Sequence, residues 1–369
     1  MSLRISRWAT QCPIMSVILL ISLLLCDLSR ADEPDRALRT PIAEEHAAEE
    51  HAAEDTPKPK QTTLNWDRAN VGLAPVYNDA TYKVTVTLGV PYGQGMTYHP
   101  SDNTRCFPRN LTLDVYQPDD NHQQNRPVVV LIHGGGCWTG DSLMHSMVNG
   151  AQYFAQRGWV CYSINYRLHG DRGIAPKGWP DNRPTYSATR DAKAAIRWIR
   201  ANAQKYRIDP DYIVAYGGSA GAYISVALGA SDEEDFRDEL LDNPNEKKLL
   251  ENTHRDHSSS VQAVVSHWGS GLLLDLLRRF DGRNRFDAND APLMIIHGTD
   301  DERVPFSEAI ELQQKYRAEL EVCTLDGWGH SAWGAKHEGT PIIDKVHAFL
   351  TRTLEMKPSD GTGIQSSSH

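Results

Sequence analysis

What the chain is short of narrows the field first. Six cysteines occur in 369 residues and no two are spaced Cys-x-x-Cys, which argues against a zinc or dithiol redox motif. Basic residues are in the minority, 38 Lys and Arg against 48 Asp and Glu, and they form no cluster. Nucleic acid and anionic membranes are therefore poor partners. Long apolar runs are scarce. The segment Ile14 to Leu25 is short for a bilayer-spanning helix. With Arg4 and Arg7 before it and Ser29-Arg30-Ala31 after it, this segment reads as a secretory signal peptide, residues 1–31, cut after Ala31. The expected destination is the periplasm or the exterior, with no stable membrane partner once the signal is gone.

Cleavage removes Arg4, Arg7, Arg30 and Asp27, so the counts of 38 and 48 become 35 and 47, a formal charge of −12. Cys106, Cys137, Cys161 and Cys323 remain, and export permits them to oxidise. Residues 32–63 lack bulky apolar side chains where AEEHA repeats between Ala43 and Asp55, and are expected to be an acidic disordered tether. Residues 356–369 read as a flexible tail.

Between 64 and 355 the pattern alternates strands and helices. Leu111 to Tyr116 alternates apolar and polar residues, as a partly exposed strand does, whereas Pro127 to Ile132 is continuously apolar, as a strand buried on both faces must be. Helical spacing follows at Met144 to Ala155, at Ala192 to Ala203 and at Ile342 to Leu350, with further strands at 159–165, 212–216, 261–266, 292–296 and 320–325. This alternation predicts an α/β domain, a mostly parallel sheet with helices on both faces. Sites on such sheets lie at the carboxyl ends of the strands.

The chemistry-bearing residues fall at those ends. Gly217-Gly218-Ser219-Ala220-Gly221 fits G-x-S-x-G between a strand and a helical run, where small neighbours permit a sharp turn that presents the Ser219 hydroxyl. His133-Gly134-Gly135-Gly136 follows the buried strand and can aim backbone N–H groups at an oxyanion, an effect worth about 3 kcal/mol per donor. Asp300 and Asp301 both qualify on position as the acid. His330, which follows Gly327-Trp328-Gly329 and lies five residues past Leu325 at the end of the last strand, is the expected base, with His337 as runner-up and His267, His297 and His347 as structural or surface residues. The order Ser, Asp, His is the one expected on this fold.

These four elements resemble the α/β-hydrolase superfamily, specifically its HGGG-bearing esterase and lipase branch. The similarity runs over most of 105–355 and includes Asn165-Tyr166-Arg167-Leu168, Asp191 to Trp198 and Ile208-Asp209-Pro210. The resemblance implies that Asp301 is the acid and that Gly135, Gly136 and Ala220 supply the oxyanion hole. It implies a carboxylesterase that needs no metal or organic cofactor. The GGSAG form looks most like bacterial acetylxylan and feruloyl esterases, so the expected substrates are short-chain, acetyl or cinnamoyl esters, as small molecules or on polysaccharide. Gly218 departs from the hormone-sensitive-lipase-like members, which usually carry Asp there. Trp138 and Trp328 flank the glycine and histidine motifs and are candidate walls of the substrate pocket. In this fold the strand 111–116 runs antiparallel to its neighbours, which suggests a Cys106–Cys137 bridge beside the oxyanion loop. Two other readings are a prolyl-oligopeptidase-like peptidase, for which no propeller domain fits within 32–105, and a non-catalytic binding protein on a hydrolase scaffold.

Overall fold

Valine and isoleucine in an unbroken run give β3 (Arg126–Ile132) no polar face, and every one of its residues is buried. It lies near the middle of an eight-stranded sheet with β1 (Val84–His99), β2 (Asp102–Pro118), β4 (Val160–Ile164), β5 (Ile208–Gly218), β6 (Ala263–His267), β7 (Leu293–Gly298) and β8 (Leu320–Leu325). The order is β1-β2-β4-β3-β5-β6-β7-β8. Neighbours from β4 to β8 are parallel, whereas β2 is antiparallel to both β1 and β4. The parallel strands therefore end together on one edge, the edge at which β2 comes alongside β4 at Leu113. This is a computed structural model that describes residues 73–359 apart from 121 and 252. The expected signal peptide, the tether and residues 360–369 lie outside the described residues.

Side-chain alternation along β3 divides the core in two. Val128, Val130 and Ile132 face a cluster with α2 (Thr185–Ala201), α4 (Ala220–Ala230), α6 (Leu272–Asp281) and α7 (Phe306–Lys315). Val129 and Leu131 face the other, where α1 (His145–Ala155) and α8 (Ile342–Thr353) supply Phe154, Val346 and Phe349. Two short helices, α3 (Ala203–Tyr206) and α5 (Pro244–Leu250), fall between these along the chain. The apolar stretch of α6 turns inward: Leu273, Leu274, Leu276 and Leu277 are buried.

Three features differ from the sequence reading. Strand β1 has no counterpart there, because Gly89, Pro91, Gly93 and Gly95 interrupt its alternation and three register shifts, between Thr87 and Val90, between Pro91 and Gly93 and between Tyr98 and His99, reset its faces. Residues 356–359 are docked rather than loose. Met356 is buried, and Ser359 donates its N–H to the Val76 carbonyl at 2.9 Å. The Cys106–Cys137 bridge is not formed, and the four described cysteines are free thiols. Leu113 pairs with Ile164, which in turn pairs with Ile132, so Cys106 lies seven residues farther along the β1–β2 hairpin, about 20 Å at the rise of a strand. Cys137 remains near Ile132 and is buried, and burial pushes its thiol pKa up to about 12.

Candidate active site

Strand β5 enters α4 through a turn that leaves Ser219 at φ 56° and ψ −123°. An L-residue occupies that region at a cost of order 1–3 kcal/mol, which the surrounding packing must hold in place. The packing is tight enough to explain the small neighbours. A Cβ on Gly217 would lie 2.3 Å from the Gly221 carbonyl, and one on Gly221 would lie 2.0 Å from the Ile132 carbonyl oxygen. Ser219 also donates its N–H to the His267 carbonyl at 2.9 Å, tying the turn to β6.

The glycine loop after β3 is folded over this turn. Gly135 has φ 98°, and its carbonyl accepts the N–H groups of Trp138 at 3.0 Å and Thr139 at 3.2 Å. The N–H groups of Gly135 and Gly136 have no partner among the described residues, while Ala220, first in α4, has no intrahelical acceptor for its own. Asn165-Tyr166-Arg167 fixes the loop from beneath. Tyr166 donates its hydroxyl to the His133 carbonyl at 2.8 Å and stacks on the His133 ring. Arg167 grips Asp191 with Nε and Nη2 at 2.8–3.1 Å, and both side chains are buried. Those residues position the loop without touching the cleft, a role the sequence reading did not assign.

The loops after β7 and β8 meet at the same edge. His330 Nδ1 lies 2.7 Å from Asp301 Oδ2. Asp301 Oδ1 accepts two backbone N–H groups, from Arg303 at 2.9 Å and Val304 at 3.0 Å. Burial works to raise the Asp301 pKa, but the Val304 and Arg303 amides and His330 outweigh it and hold the carboxyl below its ordinary value. Behind it, His297 donates from Nε2 to the Val304 carbonyl at 2.8 Å, and burial lowers its pKa. The ambiguity between the two acids is thereby resolved in geometry: Asp300 is bonded by the neighbouring Thr299 hydroxyl and is exposed. His337 sits in the two-residue strand β9 (Lys336–His337) and is not among the residues lining the cleft.

A cleft of about 500 Å³ is lined by Gly134, Gly135, Gly136, Ser219, Ala220 and His330 among others. The expected serine, base and three amide donors are thus brought to one space, with Asp301 behind the imidazole. Trp138 and Trp328 are not part of that lining, contrary to the sequence reading. Trp138 is 58% exposed and stacks on His169 instead, with ring centroids 3.7 Å apart. The Trp328 backbone packs on Gly298 and its indole is left outward. The aromatic walls are Trp268, Trp333 and Tyr223. Trp268 directly follows β6, so its place at a strand's carboxyl end was a usable signal. Arg183 and Arg303 also line the cleft and carried none.

Comparison with known proteins agrees with this architecture. The family model described as BD-FAE matches residues 113–286. The chain is 29% identical over 227 residues to the probable carboxylic ester hydrolase LipM of Mycobacterium tuberculosis (strain ATCC 25618 / H37Rv), covering 53% of this chain and 46% of that protein. It is 25% identical over 252 residues to esterase LipQ of the same organism, covering 60% of this chain and 51% of the relative. The propionate-bound esterase 2 of Thermogutta terrifontis superposes with a TM-score of 0.50 at 25% identity, covering 72% of this chain and 97% of that one.

The chain has the α/β-hydrolase fold. The relatives it matches are named as ester hydrolases and esterases. The chain spans about half the length of the curated relatives it matches. A truncated carbohydrate esterase from gut microbiota, 21% identical with a TM-score of 0.52, shares the fold over 76% of this chain and 99% of its own.

Proposed function

We propose that the protein is an exported carboxylic ester hydrolase working through Ser219, His330 and Asp301. One observation carries the reading: a strained serine and a histidine whose Nδ1 is 2.7 Å from a buried carboxylate line one cleft with the amides of Gly135, Gly136 and Ala220. With its proton on Nδ1 and donated to Asp301, the His330 ring keeps a lone pair on Nε2 for the Ser219 proton. Ser219 Oγ attacks the ester carbonyl, and the amides of Gly135, Gly136 and Ala220 hold the negative oxygen. The alcohol leaves with the proton from His330, and water then repeats the sequence on the acyl-enzyme. The Asp301 carboxylate stabilises the imidazolium in both halves.

The cleft is compact and walled by Trp268, Trp333 and Tyr223, which suits short acyl or cinnamoyl groups better than long chains. The alcohol is a small molecule or a polysaccharide. The names of the mycobacterial relatives and of the Thermogutta terrifontis enzyme support ester cleavage. Labelling with a fluorophosphonate probe tests the reading: it should be lost in Ser219→Ala. A panel of nitrophenyl esters should then show falling kcat/KM as the acyl chain lengthens. Absence of labelling in the wild-type chain would leave a binding protein, and turnover of peptides in preference to esters would leave a peptidase.

A further inference from the structure

The charge of the cleft is opposite to that of the chain. The sequence has a net charge of −10, yet the residues lining the space around Ser219 include two arginines, Arg183 and Arg303, and no Asp or Glu. Arg303 is exposed, and its side chain has no ion-pair partner among the described residues. Only its backbone N–H is committed, to Asp301. Arg183 arrives from another direction, on the segment that precedes α2. Its Nε donates to both oxygens of Asp181 at 3.0 Å, and Asp181 in turn accepts the Thr185 hydroxyl at 3.2 Å. That contact orients the guanidinium through one nitrogen and leaves its two terminal nitrogens without a hydrogen-bond partner among the described residues.

Asp181 offsets part of the Arg183 charge. Asp301 is engaged with His330, and Glu308, on α7, acts on Tyr223 from outside the lining. A planar fork of donors matches a carboxylate, and cations beside a low-dielectric wall raise the local concentration of anions. For a strongly acidic protein to keep two cations at the mouth of its reactive serine is an arrangement that general solubility does not require.

We infer that the site selects esters whose acyl or alcohol part bears a carboxylate, with Arg303 and Arg183 as the selecting residues. The inference rests on the ester hydrolase reading above. It narrows the substrate from esters in general to anionic ones, such as half-esters of dicarboxylic acids or acyl groups carried on acidic alcohols and acidic sugars.

Two pairs of isosteres test it. On the acyl side, the mono-4-nitrophenyl ester of glutaric acid is compared with that of its monoamide. On the alcohol side, 4-acetoxybenzoate is compared with 4-acetoxybenzamide. Each pair differs only in carboxylate against carboxamide, so the ratio of kcat/KM, corrected for spontaneous hydrolysis, cancels any change common to both. At low salt the wild-type enzyme should favour the carboxylate by about tenfold in one pair, and that pair identifies the side on which the anion is held. The ratio should fall below about threefold in the Arg183→Gln, Arg303→Gln double variant, and should shrink as salt rises from about 10 mM to about 500 mM. Equal or better turnover of the carboxamide in both pairs overturns the inference while leaving the hydrolase intact. A carboxylate preference that survives in the double variant overturns the assignment to these arginines. If the wild-type enzyme turns over none of the four esters, the hydrolase reading itself falls, and the inference with it.

Discussion

Replacing Asp301 by Asn exchanges one carboxylate oxygen for an NH2 group, yet the geometry dictates a large effect on turnover. Asp301 Oδ1 accepts N–H groups from Arg303 and Val304, so in Asp301→Asn the carboxamide oxygen must occupy that position. The new NH2 group is then forced to the Oδ2 position, 2.7 Å from His330 Nδ1. Two donors cannot face each other. The imidazole must accept at Nδ1 and carry its proton on Nε2, where it can no longer take one from Ser219. The carboxylate is fully buried and His330 is 14% exposed at its side chain, so water replaces little of the lost interaction. Removing one partner of such a pair costs about 3–5 kcal/mol, or roughly two to four powers of ten in kcat. The assay is kcat on 4-nitrophenyl acetate together with the rate of fluorophosphonate labelling, which reports the serine's reactivity alone. Both should fall together, with KM little changed. Asp300→Asn is the control and should stay within about threefold of wild type, since Asp300 is exposed and its carboxylate accepts only the Thr299 hydroxyl. Retention of more than about a tenth of wild-type kcat in Asp301→Asn would refute the tautomer argument.

The strain at φ 56° predicts that Ser219→Gly, although inactive, is more stable than the equally inactive Ser219→Ala by roughly 1 kcal/mol, measured by thermal unfolding of both. Gly221→Ala should fail to fold or lose all labelling, because its Cβ would meet the Ile132 carbonyl oxygen at 2.0 Å; normal expression and activity would contradict the close approach of that turn to β3. Breaking the buried fork with Asp191→Asn should destabilise the protein by about 3–5 kcal/mol in urea unfolding, and lower kcat through the loosened glycine loop. Burial lowers His267 to about 3 and His347 to about 4. Both protonate near 6.5 when unfolded, so stability is complete above about pH 6.5 and declines as pH falls toward those folded values, by up to roughly 1.4 kcal/mol per pH unit for each. His267→Phe should flatten the difference in urea midpoint between about pH 7 and about pH 5, and an unchanged difference would count against the burial argument.

Local chemistry was sufficient for much of this protein. Runs such as Pro127 to Ile132 can only be buried strands, helical spacing marks α1, α2 and α8, and small residues around Ser219 signal a turn that tolerates nothing larger. Those patterns place the serine, the glycine loop and the histidine, because each depends on contacts within a few residues. Other features depend on what meets across the fold. Asp300 and Asp301 are equivalent by position along the chain; the family resemblance favours Asp301, and in the fold the N–H groups of Arg303 and Val304 and the approach of His330 set it apart. Strand β1 was hidden because its bulges are stabilised by its partner β2 rather than by its own alternation. Exposed Trp138 and Trp328 adjoin the right motifs along the chain, but the direction of an indole is fixed by the loop's path, which sends both outside the cleft and brings in Trp268 and Trp333. The sequence alone determined which elements form and which groups can react. Tertiary packing decided which of those groups meet, since side-chain direction and charge proximity are set by residues far away along the chain.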